Sequence, residues 1–159
     1  MIKIIETCPI TKILDCYFNI EKDIIWTDYN GKKQTGLQFK ENEDPWASAV
    51  GTSNGDELAY TNLNPFFKDT IFEDLINQYK LKRTRLMWTS PMTCYSMHKD
   101  TTPRIHIPMI TNPECYFVFK SGIIRHMPAG LVYWTNTVNL HTFMNCSNKP
   151  RLHLIGVVI

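Results

Sequence analysis

The 159-residue sequence lacks the features that mark several classes of protein. No stretch approaches the roughly 18 consecutive apolar residues of a membrane-spanning helix, and the apolar stretch near the start, MIKIIET, is broken by Lys3 and Glu6 and is too short for the core of a secretory signal. Basic residues exceed acidic ones by only two, which disfavours nucleic acid or an anionic membrane as the main partner. We therefore expect a cytoplasmic protein that binds neither.

Paired cysteines, repeats and low-complexity tracts are also missing. The five cysteines form no CxxC pair and their number is odd, so we expect reduced, buried thiols rather than a zinc knuckle or a disulfide framework. With 43% apolar and 20% charged residues, the composition is that of a globular protein. The length suits one domain spanning residues 1–159.

Helical signals lie in residues 1–83, which we interpret as a helical cover and lid. Apolar spacing predicts one helix from Pro9 to Asn19 and a second from Asp69 to Tyr79, with Asp69 as its cap. Between them GLQF is a short strand candidate, and residues 40–65 form a polar excursion suited to a substrate lid. The basic cluster Lys80, Lys82, Arg83 and Arg85 is interpreted as a solvated strand end.

Residues 84–159 have the pattern of a β core. Eight short apolar segments are separated by Pro, Gly, Asn and Ser turns: TRLMWTS, TCYSMH, RIHIPMI, ECYFVF, GIIRHM, LVYWTN, LHTFMN and RLHLIGVVI. Such spacing predicts a β-sandwich or an antiparallel jelly roll. Because proline cannot donate a ladder hydrogen bond, Pro108 predicts an edge position or a bulge in its strand.

All five histidines fall in this β half, and two of them suggest a metal site. His98 and Asp100 are two residues apart, so an extended backbone turns both side chains to one face. His141 opens a later strand and is the best candidate for a third ligand. Two histidines and one carboxylate leave coordination positions open, as in non-haem Fe(II) sites. The alternative for His98 and Asp100 is a surface turn with a hydrogen bond between the two side chains.

Arg151 adds an anion-binding candidate ten residues after His141. It begins the apolar strand RLHLIGVVI, and burying an arginine there is costly without an anionic partner. No acidic residue follows Glu114 in the chain. A small-molecule carboxylate would satisfy its planar guanidinium. The alternative is an arginine that faces outward from its strand.

This order of residues resembles the Fe(II)/2-oxoglutarate-dependent oxygenases. The segments PRIHIPMITNPECYFVF and MPAGLVYWTNTVNLHTFMNCSNKPRLHL are more closely similar to the aspartyl/asparaginyl β-hydroxylase family. That family has an R-x-H pair after its first metal histidine, here Arg104 and His106, and an H-x-x-x-N segment before its last arginine, here His141 and Asn145 before Arg151. The resemblance is specific over residues 84–159 and vaguer over residues 1–83.

The resemblance implies a mainly β protein, a double-stranded β-helix (jelly roll, cupin-like) with N-terminal helices packed on the outside. It implies that Fe(II) is bound by His98, Asp100 and His141. Arg151 would pair with the distal carboxylate of the cosubstrate 2-oxoglutarate, and Arg104 and His106 would help to hold it.

The activity implied is a dioxygenase that uses O2 to hydroxylate a C–H bond of an amino acid or a peptidyl residue, with release of succinate and CO2. The animal β-hydroxylases lack a carboxylate ligand, so Asp100 makes this chain more similar to bacterial members that hydroxylate free proline. Two alternatives stay open on the residues. One is a cupin-like protein that binds metal without oxidation, or an isomerase; the other is a structural or partner-binding jelly roll with a decayed site.

Overall fold

The computed structural model describes residues 1–52 and 55–158, and its strands form two main antiparallel sheets. The larger sheet has the spatial order β1 (Ile2–Thr7), β11 (Leu131–Thr135), β8 (Arg104–Ile110), β13 (Arg151–Val157), β6 (Lys82–Thr89), β3 (Lys32–Gly36) and β2 (Thr27–Tyr29). The smaller has the order β10 (Ile124–Arg125), β9 (Cys115–Phe119), β12 (His141–Asn145) and β7 (Thr93–Cys94). A separate pair joins β4 (Gln38–Phe39) to β5 (Asn62–Leu63).

The described residues also form two α-helices, α1 (Ile10–Ile20) and α2 (Ile71–Gln78), and short 3-10 helices at Glu21–Asp23, Glu57–Ala59 and Pro65–Phe67. Within the described ranges no helix is long and apolar enough to cross a membrane. The five cysteines are free, as expected.

The predicted β core is confirmed. Each of the eight segments proposed for residues 84–159 contains a strand, and from β6 to β13 the chain passes repeatedly from one main sheet to the other. This alternation is that of a double-stranded β-helix. Pro108 lies in an interior strand, where the pairing of β8 with β13 shifts register between Leu152 and His153, so the bulge is the correct one of the two predicted outcomes.

The segment 1–83 supplies strands as well as helices. Strands β1, β2 and β3 all join the larger sheet. The segment TDYNGKK forms a hairpin whose central residues, Asn30 and Gly31, have φ angles of 54° and 72°, as a two-residue turn between right-twisted strands requires. Strand β1 lies at the edge with mostly exposed side chains, so it lacks the apolar alternation that indicates a half-buried strand.

Helix α2 forms where predicted, but its cap differs. Asp69 has φ 58° and its backbone N–H donates to the Glu73 carboxylate at 2.7 Å. Thr70 is instead the residue with extended backbone, and its hydroxyl oxygen accepts a hydrogen bond from the Phe72 N–H. The prediction of Asp69 as the cap is therefore wrong by one residue, because a cap needs extended rather than left-handed backbone.

Strand β13, in the middle of the larger sheet, is buried on both faces, and one face contacts the core while the other lines the site. Leu152 and Leu154 belong to the core cluster that includes residues of both helices. Arg151 and Ile155, on the alternate positions, line a cavity between the main sheets. Period-two alternation thus directs the apolar side chains to the helices and Arg151 towards the smaller sheet.

The interpretation of the basic cluster as a solvated strand end is wrong for two of its members. Arg83 is buried and Arg85 is largely enclosed, with side chains directed into the protein. A register shift where β6 pairs with the end of β13 accompanies φ 49° at Arg83. This bulge changes the direction of the side chains near the start of β6.

Candidate metal centre

His98, Asp100 and His141 come together at one end of the space between the sheets. One potential ligand atom from each lies within 4.8 Å of the other two. The Nε2 atom of His141 is 3.8 Å from Oδ2 of Asp100, and the two imidazole rings have centroids 4.4 Å apart. A single ion could therefore contact all three side chains.

Backbone hydrogen bonds hold the three residues in this arrangement. His98 and His141 form an isolated antiparallel bridge in which each N–H donates to the other's carbonyl at 2.9 Å. The Asp100 N–H donates to the Thr137 carbonyl at 2.9 Å. The segment after β7 is thereby tied to the start of β12, so residues 43 positions apart in sequence lie opposite each other.

Both histidines present the nitrogen that a metal needs. Nδ1 of His98 lies 2.9 Å from the Ser96 carbonyl, and Nδ1 of His141 lies 2.8 Å from the Asn139 carbonyl. A carbonyl oxygen only accepts, so Nδ1 carries the proton in each ring and the Nε2 lone pair is free. Burial lowers the pKa of His141, although the bond to Asn139 opposes this, so the ring is neutral at pH 7. Phe117 stacks on His141 with an interplanar angle of 11°.

Behind the triad is a chamber with Arg151 in its wall. Arg151 is buried, and its Nη2 donates to Nδ1 of His153 at 2.8 Å. Its guanidinium carbon lies 3.2 Å from the centre of the Phe143 ring. Nε and Nη1 have no hydrogen-bond partner within the described part of the chain. Burial lowers the pKa of Arg151 to about 9, so the side chain is still charged at neutral pH.

His106 lines the same chamber and is also unpaired. Both ring nitrogens are buried without a hydrogen-bond partner among residues 1–52 and 55–158. Burial, reinforced by the charge of Arg151, holds the pKa of His106 well below its ordinary value, so the ring is neutral. Buried polar atoms are nearly always satisfied. The unpaired atoms of His106 and Arg151 therefore indicate room for a polar ligand.

Arg104 lines the chamber too, but a carboxylate already engages it. Its Nη2 donates to Oε1 of Glu57 at 2.7 Å and its Nη1 to Oε2 at 3.0 Å, and Nη2 lies 3.3 Å from Oδ1 of Asp100. Arg104 thus leaves the other Asp100 oxygen facing His141. Glu57 lies in the segment 40–65 predicted as a lid; Ser53 and Asn54 of that segment lie outside the described residues.

All six residues proposed from the sequence therefore border one space. Tyr95, one of four aromatic residues that the sequence offered for a pocket wall or for the core, also lines it. Sequence reasoning missed Glu57, Arg85, Phe117 and Phe143, which contribute to the space or to its supports. An arginine pair in β6 was the one available signal for Arg85. Nothing local distinguishes Glu57 from the other acidic residues of its polar segment.

Solved structures of similar fold include two oxygenases. An oxidoreductase of the 2OG-Fe(II) oxygenase family from Burkholderia pseudomallei has a TM-score of 0.63 and 11% identity, over 91% of this chain and 77% of that chain. A Pseudomonas putida prolyl-4-hydroxylase has a TM-score of 0.51 and 12% identity, over 93% and 84% respectively. A Bordetella pertussis cupin domain is 16% identical over 50% of this chain and 81% of its own, with a TM-score of 0.43.

No model of a protein family matches the sequence, and no curated protein matches it either. At 11–12% identity the structural likeness concerns the fold alone. The double-stranded β-helix predicted from the sequence is confirmed, and it is the fold of these two oxygenases. The closer resemblance to aspartyl/asparaginyl β-hydroxylases stays a prediction.

Proposed function

We propose that the protein is an Fe(II)- and 2-oxoglutarate-dependent dioxygenase that hydroxylates an unactivated C–H bond of an amino acid or a peptidyl residue, with free proline among the candidates. The observation that carries this proposal is the buried guanidinium of Arg151, whose Nε and Nη1 have no partner in the described residues, in the same chamber as the two histidines and Asp100. A metal-binding jelly roll without a dicarboxylate cosubstrate has no need for that charge.

The donor set fits Fe(II). Two imidazoles and one carboxylate provide three ligands and leave further positions free for small molecules. The bonds from Nδ1 to the Ser96 and Asn139 carbonyls orient the histidines, and Arg104 orients Asp100. Such supporting bonds typically change metal affinity by about 10- to 100-fold when they are removed.

The chamber fits 2-oxoglutarate. Nε and Nη1 of Arg151 each carry an N–H without a partner in the described residues, and each can donate a charge-assisted hydrogen bond to a carboxylate oxygen. His106, neutral and unpaired, can donate one hydrogen bond to a carboxylate oxygen. Arg104 lines the same wall but already donates to Glu57, so we assign to Arg151 most of the affinity for the cosubstrate.

When bound, Fe(II) supplies the activation of O2 that couples decarboxylation of 2-oxoglutarate to hydroxylation, one oxygen atom entering succinate and the other the hydroxylated product. The chain itself contributes binding, orientation and exclusion of water. Phe117 and Phe143 border the chamber beside His141 and Arg151, and their apolar rings keep it dry.

The test is to mix the protein with Fe(II) and 2-oxoglutarate without oxygen and to follow the visible charge-transfer band. We expect a band in the natural protein and, after oxygen is admitted, succinate formation that increases with the correct amino acid or prolyl peptide. Arg151→Lys should weaken 2-oxoglutarate binding about tenfold or more, because a point charge replaces a planar fork.

Arg125→Lys is the matched control, since Arg125 is exposed and does not line the chamber. An unchanged 2-oxoglutarate affinity in Arg151→Gln would contradict the proposal. A protein that binds the metal but never the cosubstrate would instead support the non-oxidative cupin-like alternative.

A further inference from the structure

Arg85 is a second arginine of the site that no acidic side chain neutralises. Its Nη1 donates to the Ala49 carbonyl at 2.9 Å, and its Nε is buried without a partner in the described part of the chain. No carboxylate oxygen there lies within 4.0 Å of its nitrogens. Burial, with a smaller effect from Arg83, lowers the pKa of Arg85 to about 9, so it is charged at neutral pH.

The arginines near the site thus divide into two kinds. Arg83 and Arg104 share the carboxylate of Glu57, at 2.5 Å and 2.7 Å. Arg85 and Arg151 have no such partner among residues 1–52 and 55–158. An enclosed charge without a counter-ion is costly, so both positions favour an anion from outside the chain.

Arg85 differs from Arg151 in what it borders. Arg151 lines only the inner chamber, whereas Arg85 lines both the chamber and an outer groove of about 390 Å³. His98 and Asp100 also border both spaces. A molecule in the groove would therefore reach Arg85 and the open side of the metal ligands at the same time.

The groove is itself basic. Lys32 and Lys99 line it, and Nζ of Lys32 lies 3.5 Å from the centre of the Tyr95 ring. Its two carboxylates are Glu57, already bound by Arg83 and Arg104, and Asp100, one of the proposed metal ligands. The groove is therefore complementary in charge to an anionic ligand.

From this placement we propose that Arg85 binds a carboxylate of the molecule that is oxidised, which lies in the groove with its reacting carbon towards His98 and Asp100. The proposal rests on the proposed function, since it gives the inner chamber and Arg151 to 2-oxoglutarate. It restricts the substrate to compounds or residues that carry a carboxylate near the oxidised carbon.

The experiment uses trifluoroacetate as the probe carboxylate and trifluoroacetamide as its neutral counterpart, both observed by ¹⁹F NMR. The full-length protein is loaded with Zn(II), which supports no turnover, and saturated with 2-oxoglutarate. We expect trifluoroacetate to bind and trifluoroacetamide not to. Arg85→Gln should weaken trifluoroacetate binding roughly tenfold to a hundredfold, the range of a charge-assisted hydrogen bond. Arg125→Gln, a change at an exposed arginine, should not.

A second measurement decides whether Arg85 binds the carboxylate of the substrate or a carboxylate of 2-oxoglutarate. In the anaerobic Fe(II) titration, 2-oxoglutarate affinity should fall in Arg151→Gln and be retained in Arg85→Gln. Equal losses in the two variants would place Arg85 in the cosubstrate site and overturn the proposal. Trifluoroacetate binding that is absent from the natural protein, or unchanged in Arg85→Gln, would also overturn it.

Two further measurements distinguish a failure of this proposal from a failure of the proposed function and from misfolding. If the protein does not bind 2-oxoglutarate, the proposed function is wrong. The probe titration is then repeated in Arg151→Gln without cosubstrate, where Arg85 is the remaining guanidinium of the chamber without a carboxylate partner in the described residues. If circular dichroism shows that Arg85→Gln does not fold, Arg85→Lys decides: it keeps the charge but not the planar fork, so weaker binding supports the proposal and unchanged binding contradicts it.

Discussion

Replacing Glu57 by glutamine removes the carboxylate that links the segment 40–65 to the site. Glu57 accepts hydrogen bonds from Arg83 at 2.5 Å and from Arg104 at 2.7 Å and 3.0 Å. It also accepts from the hydroxyls of Thr101 and Thr102, at 2.6 Å and 2.7 Å. An amide in its place carries no charge, which leaves Arg83 without a carboxylate partner in the described chain and Arg104 with only Asp100, 3.3 Å away.

The pKa of Glu57 gives the size of the effect. Burial alone would raise that pKa, but the bonds from Arg104, Thr101 and Thr102 outweigh burial and lower it from 4.5 to about 2. One tenfold change in a proton equilibrium is about 1.4 kcal/mol, so ionised Glu57 stabilises the folded protein by about 3 kcal/mol at pH 7. Removing one partner of a buried ion pair generally costs a similar amount, about 3–5 kcal/mol.

The sign of the pH dependence follows from the lowered pKa. The stabilisation by Glu57 is complete above its unfolded pKa of 4.5 and is lost as the pH falls towards the folded pKa of about 2. The difference in unfolding free energy between the natural protein and Glu57→Gln should therefore shrink on acidification. We expect about 3 kcal/mol at pH 7 and about 2 kcal/mol at pH 3.5.

Urea unfolding followed by tryptophan fluorescence measures this difference. With a slope of about 2 kcal/mol per molar urea, the midpoint of Glu57→Gln should lie about 1.5 M lower at pH 7. Glu114→Gln is the matched control, because Glu114 is exposed and its carboxylate makes no ion pair in the described chain. A loss below about 1 kcal/mol, or a difference that grows as the pH falls, would refute the reasoning.

Two further predictions concern the proposed metal ligands and the attachment of the segment 40–65. His98→Ala and His141→Ala should each abolish Co(II) binding, which is measured by visible absorption. His126→Ala should leave Co(II) binding unchanged, because His126 lies outside the triad. Co(II) binding that is retained in His98→Ala or His141→Ala would contradict the assignment. Gly36→Ala should destabilise the protein by about 1–3 kcal/mol, because its Cβ would lie 2.9 Å from the Pro45 carbonyl oxygen, which is backbone and cannot rotate away. An unchanged urea midpoint would show that this segment moves freely.

Local patterns were sufficient to predict the β core and to nominate the candidate site residues that the structure brings together. Turn residues and period-two alternation are properties of short segments, so the strands of residues 84–159 could be located before their partners were known. The same holds for His98 and Asp100, whose two-residue spacing sets one face. Arg151 stood out because no acidic residue follows Glu114, and in the described part of the chain its guanidinium lies in the chamber without a carboxylate partner.

Local sequence patterns could not predict the backbone geometry of single residues or the position of a strand at the edge of a sheet. Asp69 and Thr70 are both good caps by residue type, and only the left-handed backbone of Asp69 selects Thr70. Strand β1 pairs at an edge, so its exposed side chains give no alternation to detect. The deciding feature is the backbone conformation of Asp69 in one case and the backbone pairing of β1 in the other. Backbone groups are the same for nearly every residue type, so the sequence gives little signal for either feature.

The sequence by itself determined which residue types were available for the chemistry: a histidine pair, one nearby aspartate and a buried-strand arginine. Only the tertiary structure decided which basic side chains are free to bind an anion. Glu57 lies 26 residues from Arg83 and 47 from Arg104, and its one carboxylate pairs with both, whereas Arg85 and Arg151 have no carboxylate partner among the described residues. Charges pair by distance in space, and the fold sets those distances by bringing a polar excursion back against the β sheet.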